Sequence, residues 1–237
     1  MMERLLSNIE YNYNTICENI AKAAEYSGRK YEDITFLAAT KTVEAEYINY
    51  AISLGLRYIG ENRVQELLSK YENYNLQDTK LHMIGHLQTN KVRQIVGKVD
   101  MIESVDSLKL AKEISDQSVK RNLTTDILVE VNIGGEESKS GIAPEGLEEL
   151  LHSIAELPGL KVQGLMTIPP ICENKQKICG YFENMRKLFI DISAKKIDNI
   201  SMNVLSMGMS DDYMEAIREG ATMVRIGSAL FGARNYN

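Results

Sequence analysis

Eight short apolar runs are spaced along the 237 residues, and a stretch with apolar residues at helical spacing follows nearly every one. Ile34 to Ala39, Arg57 to Gly60, Leu81 to Ile84, Met101 with Ile102, Ile127 to Val131, Val162 to Ile168, Val204 with Leu205, and Met223 to Ile226 read as strands. Several are apolar on both faces, as strands of a covered parallel sheet are. Strands this short must be covered by the helices between them. About eight such alternations predict a single (β/α)8 TIM barrel spanning residues 1–237, with a doubly wound open sheet as the second choice. Leu5, Ile9, Tyr13, Ile16, Ile20 and Ala24 place an extra amphipathic helix before the first strand. The chain runs only a short turn past its last strand, so this N-terminal helix is expected to stand in for an eighth outer helix. No Pro- or Gly-rich linker divides the sequence.

In a barrel of this kind, chemistry gathers where the strands end. The residues delivered there are Lys41, Asn62, His86, Ser104, Asp106, Asn132, Thr167, Ser206 and Arg225. A barrel built for stability alone has no need of so polar a mouth, so a ligand site is expected at it. Lys41 closes the run Phe36-Leu-Ala-Ala-Thr-Lys-Thr42, at the rim of a low-dielectric core. There an amine loses its proton more easily than in water and becomes a nucleophile toward carbonyls. The same stretch also suits a lysine that merely snorkels to solvent.

The last two strand ends add a second clue. Ser206-Met-Gly-Met-Ser210 runs into Asp211-Asp212, and Arg225-Ile-Gly227-Ser228 is a tight glycine-containing turn. Phosphate sites in these barrels commonly follow strands seven and eight. A Schiff-base lysine across the mouth from a phosphate turn suggests pyridoxal phosphate, which needs both partners.

Composition narrows the alternatives. The net charge is −6 and acids and bases are interspersed, so neither nucleic acid nor an anionic membrane is an expected partner. Cys17, Cys172 and Cys179 lack C-x-x-C spacing, which argues against a disulfide framework and a zinc site and suits a reducing compartment. His82 and His86 have zinc-like spacing but lie at a strand, without the central glutamate of the helical motif, so no metal is expected. No apolar run reaches the roughly 18 residues of a membrane span, and the first residues lack a secretory pattern, so the expected location is cytoplasmic.

Several motifs together resemble one family. They are Ala39-Thr-Lys-Thr42, Gly60-Glu-Asn-Arg-Val-Gln-Glu66, His82-Met-Ile-Gly-His-Leu-Gln88, Ser104-Val-Asp106, Gly164-Leu-Met166, Leu205-Ser-Met-Gly-Met-Ser-Asp-Asp212 and Val224-Arg-Ile-Gly-Ser-Ala-Leu-Phe-Gly232. In this order they resemble the YggS/PROSC family of pyridoxal phosphate homeostasis proteins, whose barrel is similar to the N-terminal domain of alanine racemase. Thr40 stands where that family usually has serine, which leaves the hydrogen bonding beside Lys41 open. Val43-Glu44 replaces a usual Lys-Pro pair, and Leu81 a common aromatic.

The resemblance implies that Lys41 forms an aldimine with pyridoxal 5'-phosphate and that Arg225 faces the pyridine nitrogen. It implies phosphate contacts from Ser206, Gly227 and Ser228, with Ser210 as a further candidate. Asn62 and His86 would line the ring or its entrance, although His86 is also compatible with a purely structural role, and Arg225 with a rim salt bridge. The implied function is storage, delivery or buffering of the cofactor without robust catalysis, with transient transfer to pyridoxal-phosphate-dependent apoenzymes. The alternative is an amino acid racemase, which needs a base on each face of its substrate. In alanine racemase the second base resembles a tyrosine from a further domain, for which this sequence leaves no room. A monomer is expected. The loop from Gly134 to Gly141, with Lys139, could close over the mouth, meet a partner or simply be solvated.

Overall fold

The computed structural model describes residues 2–136, 139–172 and 174–232. Eight parallel strands close into a barrel in chain order. They are β1 (Thr35–Ala39), β2 (Tyr58–Glu61), β3 (Lys80–Met83), β4 (Met101–Val105), β5 (Thr125–Glu130), β6 (Leu160–Met166), β7 (Ile200–Ser206) and β8 (Met223–Ile226). The outer layer consists of α1 (Met2–Tyr26), α2 (Ala45–Ser53), α3 (Val64–Lys70), α4 (Val92–Ile95), α5 (Leu108–Lys120), α6 (Leu147–Ala155), α7 (Lys175–Lys195), α8 (Tyr213–Arg218) and α9 (Ser228–Phe231). The expected TIM barrel is therefore the fold.

Side chains alternate across each strand. Phe36, Ala38, Ile59, Leu81, Ile102, Ile127, Leu205 and Val224 point outward and join the helices in one large apolar core. The inward set is mixed. Two small apolar clusters, Leu37 with Ile84 and Met223, and Met101 with Leu128 and Met166, fill part of the interior. His82, Glu103, Ser206 and Arg225, all buried, take other positions of the same inward alternation.

Helix α1 packs against α2, α8 and α9, the place of an outer helix after β8. Asn12 Nδ2 donates to the Leu230 carbonyl at 3.0 Å and Asn19 Nδ2 to the Tyr213 hydroxyl at 3.1 Å.

The strand boundaries differ from the apolar runs in an informative way. β4 continues through Glu103 and Ser104, and β7 begins at Ile200 and ends at Ser206. Both strands carry inward polar residues, which an apolar pattern reads as strand ends. The segment after β3 forms only a 3-10 turn (Thr89–Lys91) and the four residues of α4, cut off by Gly97 at φ 83°. Gly164 sits at a register shift between β5, β6 and β7 with φ 154°, and a Cβ there would lie 1.8 Å from the Val204 carbonyl oxygen. Only glycine fits.

Candidate functional site

Lys41 stands two residues past the end of β1, half-buried in a turn between buried Thr40 and exposed Thr42. Thr42 has φ 64°, a left-handed conformation that costs a β-branched residue energy and persists only when its surroundings impose it. Those surroundings are polar. Thr40 Oγ1 donates to the Gly60 carbonyl at 3.1 Å and to Glu61 Oε1 at 2.7 Å, so the threonine performs the hydrogen bonding that the sequence left open. Lys70 Nζ donates to the Thr40 carbonyl at 3.1 Å, to Glu61 Oε1 at 2.8 Å and to Glu66 Oε1 at 2.6 Å. Glu66 also accepts from the Thr42 amide. Tyr74 donates to Glu61 at 2.6 Å, and burial followed by the Glu61 charge drives the phenol well above its ordinary range. The backbone on both sides of Lys41 is thus held from α3.

The turn expected to hold a phosphate stands beside Lys41, not across the mouth from it. β8 pairs with β1, Leu37 opposite Arg225 and Ala38 opposite Ile226. A Cβ on Gly227 would lie 3.0 Å from the Ala39 carbonyl, so the glycine lets this turn sit against the end of β1. Ser210 Oγ accepts from the amides of Gly227 and Ala229, each at 3.2 Å, at the start of α9. Asp212 accepts from the Met209 amide at 2.6 Å, which fixes the loop that brings Ser210 there. Burial raises the Asp212 carboxyl, although that hydrogen bond and the Arg225 charge oppose the rise.

Arg225 is 3% exposed. Its guanidinium donates to Ser206 Oγ at 2.5 Å and to the Thr167 carbonyl at 2.8 Å. Burial lowers its pKa, and the charges of Glu103, Glu130 and Asp212 push it back. An arginine remains a cation under these conditions. The alternative of a rim salt bridge is not found among the described residues; Arg225 is an interior group.

Ser206 has other partners than a phosphate. Fully buried at the end of β7, its hydroxyl donates to Glu103 Oε2 at 2.7 Å and accepts from Arg225. The other Glu103 oxygen lies 2.7 Å from His82 Nδ1. Burial alone would raise the Glu103 pKa; the His82 hydrogen bond and charge, the Arg225 charge and the Ser206 hydroxyl outweigh it and hold the carboxylate below its ordinary value. Glu130, at the end of β5, has no such support. Burial pushes its carboxyl up to about 7, with Arg225 pulling down and Asp106 pushing further up.

Asn62 follows β2, and its buried Oδ1 has no hydrogen-bond partner among the described residues. Gly85 permits this placement, since a Cβ there would lie 2.3 Å from the Asn62 carbonyl. His86 is exposed at the rim, with Asp106 Oδ2 at 3.8 Å and Ser140 Oγ at 3.4 Å from its Nδ1. It has separated from His82, which lies inside the barrel. Two other polar strand ends act as fasteners: Ser104 donates to the Gly85 carbonyl and Thr167 to the Val131 carbonyl, both at 2.7 Å. Of the loop from Gly134 to Gly141, residues 137 and 138 lie outside the described residues. Lys139 Nζ donates to the Pro169 carbonyl at 3.0 Å.

Glu61, Lys70, Glu103 and Glu130 surround this region without standing out in the sequence; for the three glutamates an acidic residue within a short strand was the available signal.

The described helices include none long and apolar enough to cross a membrane. Residues 8–235 match the alanine racemase N-terminal domain family. A pyridoxal phosphate homeostasis protein of Aquifex aeolicus is 48% identical over 221 residues, covering 93% of this chain and 96% of the relative. PipY of Synechococcus elongatus, solved with PLP bound, superposes with a TM-score of 0.79 at 31% identity, covering 90% of this chain and 100% of PipY. An alanine racemase of Clostridium difficile shares the fold at a TM-score of 0.75 and 17% identity, covering 98% of this chain and 58% of the racemase. The barrel with Lys41 in the turn after β1 and Arg225 on the adjacent β8 thus belongs to a protein of the pyridoxal phosphate homeostasis family, within the alanine racemase N-terminal domain group.

Proposed function

We propose that this protein binds pyridoxal 5'-phosphate through a Schiff base on Lys41 and stores, buffers or delivers it, without robust turnover of amino acids. One observation carries the reading: β1 and β8 are neighbours, which brings the Lys41 turn, Arg225 and the Gly227–Ser228 turn to one side of the mouth. The residues present suit the group. Lys41 supplies the amine for the aldehyde. Ser210 and Ser228 would offer hydroxyls to the phosphate and Ser228 its backbone N–H, while the Gly227 turn brings them together with its own N–H donated to Ser210. Asn62 offers a buried polar atom to the ring, and His86 stands at the entrance. Arg225 meets the ring nitrogen.

When bound, the cofactor supplies an electron-withdrawing ring conjugated to its aldehyde carbon. A permanently charged arginine can donate a hydrogen bond to the ring nitrogen but does not transfer a proton to it, so the ring remains a weak electron sink. That favours a carrier over a racemase. We further propose that the protein acts as a monomer in the cytoplasm and passes its cofactor transiently to apoenzymes.

Purified protein mixed with pyridoxal phosphate should turn yellow, and borohydride should fix the label on Lys41 in a peptide map. If Lys41→Ala kept the same colour and label, the lysine assignment would be wrong. The same sample, given L-alanine, should form D-alanine no faster than free pyridoxal phosphate does. Rapid exchange would favour the racemase.

A further inference from the structure

A TIM-barrel interior is normally filled by layers of branched apolar side chains. Here a chain of four polar residues from β3, β4, β7 and β8 occupies it: His82, Glu103, Ser206 and Arg225, each no more than 3% exposed. The link from Glu103 to Ser206 joins residues 103 apart in sequence, on strands that do not pair.

Buried charges are weak sources of stability, because desolvation offsets their attraction. This pair is also separated by a hydroxyl. The arrangement instead has a definite direction. Arginine has donors only, and the single Ser206 proton goes to Glu103, so Ser206 must accept from Arg225. Glu103 as a carboxylate accepts at both oxygens, which requires the proton on His82 Nδ1. With its other NH2 group on the Thr167 carbonyl, the guanidinium plane has one orientation.

We propose that Glu103, oriented by His82 and acting through Ser206, is a positioning residue that aims Arg225 at the ring nitrogen of pyridoxal phosphate and balances its charge there. This rests on the reading that Arg225 meets that nitrogen. Glu130 and Asp212 also face Arg225, but neither is hydrogen-bonded to it, so Glu103 governs direction as well as charge.

The test uses full-length protein loaded with pyridoxal phosphate. Glu103→Gln keeps the shape and removes the charge; Ser206→Ala keeps both charges and cuts the bridge. Each is read by the borohydride label on Lys41, by the visible absorbance as a function of pH, and by cofactor dissociation. For Glu103→Gln we expect the label to remain, cofactor affinity to fall about tenfold, and the absorbance midpoint to drop by about one pH unit as the uncompensated guanidinium disfavours a protonated imine. Ser206→Ala should weaken affinity comparably, and it carries the test alone if Glu103→Gln does not fold. A merely structural role would lower thermal stability and leave the midpoint in place. Wild-type affinity and midpoint in the folded variants would overturn the proposal. An unlabelled Lys41 in wild type would instead overturn the cofactor reading, and this inference with it.

Discussion

The ammonium of Lys70 donates to the carbonyl of Thr40 at 3.1 Å, thirty residues away in sequence, and in the same place meets Glu61 and Glu66. Through this contact α3 holds the turn that carries Lys41. Glu61 is fully buried, and its Oε2 has no partner among the described residues, so Lys70 supplies its principal counter-charge. Removing one partner of a buried pair leaves an uncompensated charge. Lys70→Met should therefore lower the unfolding free energy by about 3 kcal/mol. It should also slow formation of the borohydride-fixed label on Lys41, because Thr42 at φ 64° loses part of what imposes its conformation. Denaturant melts and a time course of labelling check both. A variant as stable and as quickly labelled as wild type would show that α3 does not hold the turn.

Glu130 makes stability depend on pH. Its carboxyl titrates at about 7 in the folded protein, against an ordinary 4.5, chiefly because burial penalises the charged form. A carboxyl raised by folding binds its proton more tightly in the native state. Its favourable contribution is complete below about pH 4.5 and is lost as the pH climbs through about 7. The swing is at most about 3 kcal/mol. Glu130→Gln should thus gain stability relative to wild type between pH 5 and pH 8, with the difference opening mainly below about pH 7 and flattening above it. Chemical denaturation of both proteins across that range decides the matter. A difference independent of pH would mean that Glu130 ionises freely in the native state.

What the sequence disclosed and what it concealed divide along the inside of the barrel. Most outward residues of the strands are apolar because they meet helices, so the eight runs were legible, as were the lysine after the first strand and the glycine turn after the last. The boundaries of β4 and β7 were not, since Glu103 and Ser206 point inward and interrupt the apolar pattern. For Ser206 the family resemblance implies a phosphate contact. In the structure its hydroxyl meets Arg225 on the neighbouring β8 and, across the barrel interior, Glu103 on β4. Local pattern carries no trace of such distant pairings.

Gly164 tests how tightly the barrel depends on one backbone position. At φ 154°, with the Val204 carbonyl 1.8 Å from where a Cβ would stand, alanine fits neither the conformation nor the space. The obstacle is backbone, which cannot rotate away as a side chain would. Gly164→Ala should cost at least about 3 kcal/mol, as unfavourable backbone geometry and a steric clash add. The register shift between β6 and β7 at this point is what must yield. A melt within 2 °C of wild type, about 0.5 to 1 kcal/mol for a chain of this size, would mean that the strands absorb the change by sliding.

Ser210 separates phosphate recognition from recognition of the ring. Its hydroxyl accepts from the Gly227 and Ala229 amides at 3.2 Å each and comes from the loop after β7, so it joins the two turns that the proposed reading sets against a phosphate. Replacing it with alanine leaves two amides without their acceptor and should reduce stability by about 1 to 2 kcal/mol. On the proposed reading it also removes a donor to the phosphate. Ser210→Ala should therefore bind pyridoxal phosphate about tenfold more weakly while binding pyridoxal as wild type does, a loss of about 1.4 kcal/mol confined to the phosphorylated ligand. Titrations with the two ligands under the same conditions provide the comparison. Equal losses for both would place Ser210 in the general upkeep of the mouth and leave the phosphate to the backbone of Gly227 and Ser228.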